Sequence, residues 1–336
     1  MLKIGIIGYG YWGPNLVRNF SEIPNAKVTM VSDLNPARLS LLKIKHPSVT
    51  TTTDHDELIN SPDVDAVCIA TPVSTHFNIA IKALKAGKHV LVEKPITSTA
   101  EDASRLIDEA AKRNLTLMVD HTFIYTGAVK KMRELVVKGV LGDIYYYDST
   151  RVNLGLFQHD VSVIWDLAVH DLSIMEYVIN KKPLAVSTTG ISHVPGKPEN
   201  IAFLTIYSES NIISHINVSW VAPVKVRLTL LGGNLKMIVY NDLEPSEKIK
   251  VYDNGITLKN SPESVYQTLI GYRTGDMWAP RLEVTEALKD LAIHFVDCVQ
   301  KSKKPVTDGE MGLRIVKLLE AATTSIAGRG RLVELT

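Results

Sequence analysis

Short apolar runs rich in Val and Ile recur along residues 1–120, and segments with helical spacing separate them. Strands buried on both faces of a parallel sheet are apolar throughout, which these runs match. The helical segments between them include His76–Ala86 and Ala100–Arg113. The alternation predicts a doubly wound α/β domain. Its predicted strands are Lys3–Ile7, Lys27–Ser32, Val64–Ala70, His89–Val92 and Leu115–Val119.

After residue 120 the pattern changes to consecutive strand-like runs without intervening helices, which predicts a mostly antiparallel sheet. We expect two domains, a Rossmann-type domain over residues 1–120 and an α/β (α+β) domain with an open sheet over residues 121–336. The predicted strands of the second domain begin at Tyr145 and continue with Leu184–Ser192, Ile201–Tyr207, Ile212–Val221, Lys225–Leu231 and Leu235–Tyr240. Its predicted helices are Ala128–Lys138, Trp165–Ile179, Val284–Gln300 and Met311–Ala327.

Composition and charge exclude several classes of partner. Hydrophobic residues make up 45% of the chain, charged residues 22%, and the net charge is +1. Such a balance offers no electrostatic footprint for nucleic acid or an anionic membrane, and no apolar run approaches the roughly 18 residues of a spanning helix. The two cysteines, Cys68 and Cys298, form no CxxC motif or disulfide framework, so we expect a cytoplasmic protein.

A glycine-rich segment follows the first predicted strand and opens a helix. Gly8-Tyr9-Gly10-Tyr11-Trp12-Gly13 has the form G-x-G-x-x-G. In this motif the first glycine permits a tight turn, the second lets the backbone approach a pyrophosphate, and the third lets helix and strand pack closely. The helix N-terminus presents N–H groups to the phosphates. The segment predicts a dinucleotide site that includes Tyr11 and Trp12.

Asp33 ends the second predicted strand, 20 residues beyond Gly13. A carboxylate at this place accepts hydrogen bonds from a ribose diol and repels a 2′-phosphate, so we predict NAD rather than NADP. Arg38 lies close enough in sequence to reach a phosphate, and a solvated helix residue is the alternative interpretation.

Glu93-Lys94-Pro95 follows the strand His89–Val92. Ligands of open parallel sheets bind beyond the carboxyl ends of the strands, which places Lys94 where chemistry is expected. An ordinary surface lysine is the alternative. We also predict that the Lys94–Pro95 peptide bond is cis, because cis bonds occur mainly before proline and the resemblance of this segment to a known family implies one here.

Asp166 and His170 form a second cluster, because positions i and i+4 share one face of a helix. A carboxylate beside an imidazole orients the ring and holds its tautomer. A capping aspartate beside a core histidine is the alternative. His159, Asp160, His170 and Asp171 form a conceivable zinc cluster, but the chain has neither a cysteine pair nor H-E-x-x-H, so we predict no metal.

The chain resembles the Gfo/Idh/MocA oxidoreductase family over nearly its whole length. The matching segments are Gly8–Gly13, Ala70-Thr71-Pro72 with His76, Ala86–Pro95, Gly139–Gly142 and Asp166-x-x-x-His170. The resemblance implies that Lys94, Asp166 and His170 are the catalytic set. It adds Thr71, Pro72, His76 and Glu93 to the candidate contacts of NAD, alongside Gly8, Gly10, Gly13 and Lys94.

Within the family, Gly10–Phe20 and Arg151-x-Asn153-x-Gly155 resemble the WlbA/WbpB-type UDP-N-acetylglucosaminuronate 3-dehydrogenases. The resemblance implies oxidation of C3 of a nucleotide sugar. Alternatives are a 3-ketosugar reductase, an inositol or free-sugar dehydrogenase, and a non-catalytic dinucleotide-binding regulator. Arg151 suits a phosphate or uronate, which arginine binds bidentately, and Asn153 and Tyr125 complete the candidate substrate contacts.

We expect a homodimer or homotetramer, because a sheet with helices on one side leaves its other face uncovered. Ile213, Ile216, Val218 and Trp220 are the candidate residues of that face. Large exposed apolar patches usually mark an interface.

Overall fold

The computed structural model describes residues 1–155, 161–253, 255–258 and 270–335. The chain forms two compact units. The first contains Met1–Tyr125 and Thr285–Lys317, and the second contains Thr126–Val284 and Leu318–Thr336.

The first unit is built on a six-stranded parallel sheet with the strand order β3-β2-β1-β4-β5-β6. This is the strand order of a Rossmann fold, and it confirms the predicted doubly wound sheet. The short polar strand β3 carries no apolar run, which is why the sequence pattern missed it. The strands are β1 (Leu2–Ile7), β2 (Ala26–Ser32), β3 (Thr50–Thr52), β4 (Ala66–Ile69), β5 (His89–Glu93) and β6 (Leu117–Asp120).

Helices connect these strands. Three of them have side-chain N-caps, since Asn35, Asp54 and Thr99 each accept a hydrogen bond from a backbone N–H of the first turn. A 3₁₀ segment, Thr122–Tyr125, follows β6. The helices are α1 (Gly13–Ser21), α2 (Pro36–Lys45), α3 (His55–Asn60), α4 (Val73–Lys85) and α5 (Ala100–Arg113).

Two further helices close the chain, α8 (Ala287–Lys301) and α9 (Gly309–Ala327). The sequence analysis grouped both with the second domain, whereas α8 and the start of α9 belong to the first compact unit. The reason is that α8 packs against α1. The rings of Phe20 and Phe295 meet edge to face with centroids 6.3 Å apart, and Lys289 pairs with Glu22 at 2.9 Å.

The second unit contains a nine-stranded sheet with the order β16-β13-β12-β11-β7-β10-β9-β8-β17. Only β7 and β10 pair in parallel among the strands described there, so the predicted mostly antiparallel sheet is confirmed. Strands β14 and β15 form a separate antiparallel pair. The strands are β7 (Ile144–Leu154), β8 (Pro183–Ile191), β9 (Ile201–Ser208), β10 (Ile212–Ser219), β11 (Val221–Gly233), β12 (Met237–Asn241), β13 (Ile249–Tyr252), β14 (Gly255–Leu258), β15 (Ile270–Arg273), β16 (Met277–Trp278) and β17 (Val333–Glu334).

The helices of the second unit are α6 (Gly127–Val137) and α7 (Val169–Ile179), with a π-helical turn, Ile164–Ala168, directly before α7. The guanidinium of Arg133 on α6 lies 4.3 Å from the ring centroid of Tyr177 on α7. The end of α9 reaches β8, where the hydroxyl of Ser325 accepts the backbone N–H of Thr188 at 2.8 Å.

Strand β10 alternates between a buried and an exposed face. Ile213 is 44% exposed, whereas Ile216, Val218 and Trp220 are buried. The expectation that all four line the open face is therefore wrong for three of them. Side chains alternate along a strand with a period of two, so Ile216 and Val218 lie on the face opposite Ile213. Trp220 follows the last residue of the strand and is enclosed.

A buried ion pair fixes α7 to the sheet. Arg151 on β7 donates to Asp171 on α7 from Nε at 2.6 Å and from one terminal nitrogen at 3.2 Å. Ser149 donates to the same carboxylate at 2.7 Å, and the hydroxyl of Tyr147 donates to the Asp171 carbonyl at 3.3 Å. Both charged side chains are almost fully buried, so each depends on the other for its charge balance.

None of the helices in the described part of the chain is both long enough and apolar enough to cross a membrane.

Replacing Arg151 by Met is expected to lower the free energy of unfolding by about 3–5 kcal/mol, because it leaves the Asp171 carboxylate buried without its partner. Urea unfolding followed by circular dichroism measures this change. Asn153→Ala on the same strand is the matched control. The Asn153 amide makes one long contact, to the Leu154 carbonyl at 3.4 Å, so its loss costs less than about 1 kcal/mol.

The double variant Arg151→Met, Asp171→Leu is expected to regain most of the lost stability, since an apolar pair of similar volume often replaces a buried ion pair without cost. An Arg151→Met protein as stable as the unmodified chain contradicts the structural role of this pair.

Candidate active site

The turn between β1 and α1 leaves no room for side chains at two of its glycines. Gly8 has a φ of +98°, a value that favours glycine. A Cβ at Gly13 would collide with the carbonyl of Gly8. Gly10 is different, because a Cβ there would meet only a terminal nitrogen of Arg38, at 3.6 Å. The backbone at Gly10 is therefore open to a ligand, as the predicted pyrophosphate site requires.

The start of α1 fits an anion. Trp12 is the N-cap residue and its side chain makes no capping hydrogen bond. Pro14 has no N–H and Asn15 donates to the Trp12 carbonyl at 2.9 Å, so the N–H groups that a phosphate could meet are those ahead of Pro14. Tyr11 is 91% exposed, and its ring lies parallel to that of Trp12 with centroids 6.3 Å apart.

Asp33 ends β2 beside this turn and is buried. One carboxylate oxygen accepts the backbone N–H of Tyr9 at 2.7 Å and the other accepts that of Asn35 at 2.8 Å. The oxygen that accepts the Asn35 N–H keeps a further lone pair for a ribose hydroxyl, whereas the other oxygen also accepts a terminal nitrogen of Arg38 at 3.4 Å. Arg38 is half-exposed and lies 3.4 Å from Asp33, so its charge faces the acid that the sequence analysis assigned to the ribose.

Lys94 lies directly after β5, at the carboxyl edge of the parallel sheet, and is partly exposed. The Lys94–Pro95 peptide bond is cis, which confirms that prediction. The carboxylate of Glu93 accepts the backbone N–H of Lys94 at 3.0 Å. Burial and the charge of Asp120 raise the pKa of Glu93 well above its ordinary value, against the opposing effect of Lys94.

His76 lies beneath two loops of this edge. Its Nδ1 is 2.9 Å from the Pro95 carbonyl and its Nε2 is 2.8 Å from the Thr71 carbonyl. Burial lowers the pKa of His76, while both carbonyl contacts act in the opposite direction. The ring is 1% exposed. Through these two carbonyl contacts, His76 links the loop after β4 to the loop after β5. Thr71 is partly exposed and Pro72 is exposed at the start of α4.

The sequence analysis missed Asp120. This buried residue ends β6, next to Glu93 in the sheet register, and it accepts the indole N–H of Trp12 at 2.9 Å. The signal was available, because Asp120 follows a predicted strand at the same sheet edge as Lys94.

Asp166 and His170 lie where the π-helical turn meets α7, and both side chains are partly exposed. π-Helical turns within helices occur frequently at functional sites. The indole N–H of Trp220 donates to Asp166 at 3.2 Å, and that of Trp165 donates to the hydroxyl of Thr323 at 3.1 Å. Trp220 thus contacts a candidate site residue, which the sequence pattern did not predict because it placed Trp220 on the open sheet face.

The three candidate substrate residues differ in placement. Arg151 is committed to Asp171 inside the second unit, so the structure gives it an internal role where the sequence analysis predicted a substrate contact. Asn153 is partly exposed near the end of β7. Tyr125 is buried in the first unit, where its hydroxyl is 3.2 Å from that of Thr307.

The conceivable metal cluster is only partly visible. His159 and Asp160 lie outside the described residues. Within the described ranges, no group of three or more His, Cys, Asp or Glu side chains is arranged to hold a metal ion.

Comparisons with known proteins agree with this geometry. The profile described as "Oxidoreductase family, NAD-binding Rossmann fold" matches residues 2–121, and the Gfo/Idh/MocA C-terminal domain matches residues 129–236. UDP-N-acetylglucosamine 3-dehydrogenase of Acidithiobacillus ferrooxidans is 32% identical over 59% of this chain and 61% of its own. Myo-inositol 2-dehydrogenase of Thermotoga maritima is 29% identical over 56% of this chain and 58% of its own.

The chain thus spans little more than half the length of several curated relatives that it matches. A levoglucosan dehydrogenase solved with NADH and levoglucosan has a TM-score of 0.84, at 19% identity over 100% of this chain and 99% of its own. That likeness shows a shared fold. With both profiles matched in order along one chain, this protein belongs to the Gfo/Idh/MocA oxidoreductase family, and its first unit is the family's NAD-binding Rossmann fold.

Proposed function

We propose that the protein oxidises a sugar hydroxyl with NAD, at C3 of a nucleotide sugar such as UDP-N-acetylglucosaminuronic acid. The observation that carries the proposal is the position of Lys94. It follows strand β5 at the carboxyl edge of the Rossmann sheet, the edge that also bears the glycine-rich turn. The relative named UDP-N-acetylglucosamine 3-dehydrogenase supports this substrate class.

Residues of the first unit would hold the cofactor. Gly8, Gly10 and Gly13 leave the turn open to the pyrophosphate, the start of α1 offers its N–H groups, and Asp33 accepts the ribose hydroxyls. When bound, NAD accepts a hydride from the substrate carbon. We propose that the cofactor also contacts Tyr11, Trp12, Thr71, Pro72 and Glu93. His76 would support the loops after β4 and β5 through its two carbonyl contacts.

The protein's own task is to remove the hydroxyl proton as the hydride leaves. Histidine is the usual general base near neutral pH, so we assign that role to His170, with Asp166 orienting its ring. The cation of Lys94 would stabilise negative charge that develops on the substrate oxygen. In the alternative assignment Lys94 is the base.

A second candidate function is oxidation of an inositol or a free sugar, or reduction of a 3-ketosugar in the reverse direction. The similarity to myo-inositol 2-dehydrogenase favours it. Asn153, partly exposed near the end of β7, is the substrate contact that we retain from the sequence analysis.

We also propose a homodimer or homotetramer assembled through the open face of the nine-stranded sheet. Phe203, Tyr207 and Ile213 on β9 and β10 are 44%, 45% and 44% exposed. The register places Ile213 opposite Tyr207, and Phe203 lies four residues along β9 on the same face as Tyr207. Exposed aromatic and aliphatic side chains on one face are typical of an interface.

Both cysteines are free and buried, which suits the reducing cytoplasm as the compartment we propose.

Asp33→Ala is expected to weaken NAD binding by roughly 10- to 100-fold, because the ribose loses a charged hydrogen-bond acceptor worth about 1.5–3 kcal/mol. Binding of NADP should change much less, so discrimination against NADP relaxes. Isothermal titration calorimetry with each dinucleotide measures both effects. Asp33→Asn, which keeps a hydrogen-bonding side chain near Tyr9 and Asn35, is the matched control. Tighter binding of NADP than of NAD by the unmodified protein would refute the preference.

His170→Asn and Lys94→Met are expected to slow single-turnover hydride transfer, by roughly 10²- to 10⁴-fold for the residue that acts as general base. Stopped-flow detection of NADH gives the rate, and NAD binding measured alongside separates chemistry from cofactor affinity.

The two variants also distinguish the possible assignments. If both retain the rate with a genuine substrate within a few-fold, the assigned site is wrong. If only His170→Asn is tolerated, Lys94 is the base and the two roles are exchanged.

Light scattering is expected to give a mass of two or four times the 37.1 kDa chain. Ile213→Lys should shift the protein toward the single-chain mass, because a charge cannot be buried in an apolar interface without a partner. Leu41→Lys, on the exposed side of α2 (Leu41 is 61% exposed), is the control that leaves the mass unchanged. A single-chain mass for the unmodified protein at micromolar concentration contradicts the assembly.

A further inference from the structure

Two carboxyl groups lie side by side at the ends of β5 and β6. Glu93 and Asp120 are register partners in these parallel strands, whose backbones run about 4.8 Å apart. Asp120 is buried and Glu93 is partly exposed. Two ionised carboxylates in such a place repel each other, which favours the state in which the pair retains one proton.

The hydrogen bonds around the pair indicate which carboxyl keeps that proton. Asp120 accepts the indole N–H of Trp12 at one oxygen, at 2.9 Å, and the hydroxyl of Thr122 at the other. Glu93 accepts the backbone N–H of Lys94 at 3.0 Å. Because side chains at partner positions of parallel strands leave the same face of the sheet, the two carboxyl groups can share a proton, which the protonated one donates as a hydrogen bond. Because two other donors already point at Asp120, the proton belongs on Glu93.

Among the titratable groups near the two carboxyl groups, Lys94 provides the positive charge that balances the pair. Burial, followed by the charge of Lys94, lowers the pKa of His121 to about 3. Burial and the charge of Asp120 raise the pKa of the Cys68 thiol. Both groups are therefore neutral near pH 7. The titratable groups around the pair are Lys94 after β5, Cys68 on β4, His76 on α4 and His121 after β6.

We propose that Glu93 and Asp120 are a proton-sharing carboxyl pair with one negative charge, which positions Lys94 and joins the glycine-rich turn to the end of β5. Asp120 holds the turn through Trp12, and Glu93 holds the backbone of Lys94. One shared negative charge beside one cation keeps the cluster close to neutral. The consequence for turnover rests on the proposed function of Lys94, whereas the shared proton does not.

The shared proton makes stability depend on pH in a defined direction. The pKa of Glu93 is raised well above its ordinary 4.5, so the folded chain binds this proton in a range where the unfolded chain has released it. Its contribution to stability is fully present below the ordinary value and declines as the pH rises toward the raised value. Glu93→Gln keeps a neutral donor to Asp120 and removes this dependence.

The direct test uses the full chain without substrate. An infrared spectrum at pH 7 is expected to contain the carbonyl band of a protonated carboxylic acid, and this band should be absent in Glu93→Gln. In Asp120→Asn the band should disappear at a lower pH than in the unmodified protein, because the pKa of Glu93 loses the raising effect of the neighbouring charge while the effect of burial remains. Glu101→Gln, an exposed acid in the first turn of α5, is the control that keeps the band.

A second measurement, the pH dependence of the urea midpoint, tests the pair through stability and so remains informative for variants that fold poorly. The difference in urea midpoint between Glu93→Gln and the unmodified protein should grow in favour of Glu93→Gln as the pH rises above 4.5. A spectrum without the protonated band at pH 7 overturns the proposal, as does a midpoint difference that is constant with pH. Neither measurement involves a sugar, so failure of the proposed function leaves both outcomes interpretable.

The effect on turnover separates positioning from general structural support. Measured at saturating NAD, Glu93→Gln should flatten the alkaline side of the pH profile of hydride transfer. Glu93→Ala, which cannot donate to Asp120, should lower kcat at every pH. Equal pH profiles for Glu93→Gln and the unmodified protein would show that the pair does not act on Lys94.

Discussion

The parallel alignment of six strands is the constraint on which the rest of the first unit depends. It brings the carboxyl ends of β1, β2, β4, β5 and β6 to one edge of the sheet, and every group assigned to the cofactor follows from this convergence. Asp33, Lys94 and Asp120 are far apart in sequence, yet each is the residue at which a strand ends or the one just after it. The tight turn at Gly8 then directs α1 so that its N-terminus faces the same edge.

Charge at this edge is balanced by neighbours. Asp33 is held by backbone N–H groups and faced by Arg38. In the second unit, Asp171 likewise accepts hydrogen bonds from Arg151 and Ser149. In both units an acid is buried only where donors already surround it, as the cost of burying charge requires. Rigid surroundings of this kind suit a site that must hold reacting groups in a fixed geometry.

Much of the fold could be predicted from periodicity, because strands buried on both faces have a strong apolar signal. The polar strand β3 lacked that signal, and β16 and β17 are two residues long, which is too short for a period. The motif residues Gly8, Asp33 and Lys94 lie just after strand ends and Gly13 begins α1, as the motifs predicted. Side-chain partners were beyond the sequence: Arg151 suits an anionic substrate, and only the fold shows Asp171 against it. The burial of Trp220 beside Asp166 could not be predicted, because a run of apolar residues does not show which face of β10 each side chain occupies.

The central claim is that this family member uses NAD to oxidise a sugar hydroxyl. A panel of nucleotide sugars, free sugars and inositols incubated with protein and NAD, and followed at the absorbance band of NADH, tests it most directly. The account predicts NADH formation with a nucleotide sugar and its loss in Lys94→Met protein that still binds NAD. NADH formation that is equally fast in Lys94→Met protein would contradict this claim. So would the absence of NADH formation with every sugar and inositol in the panel.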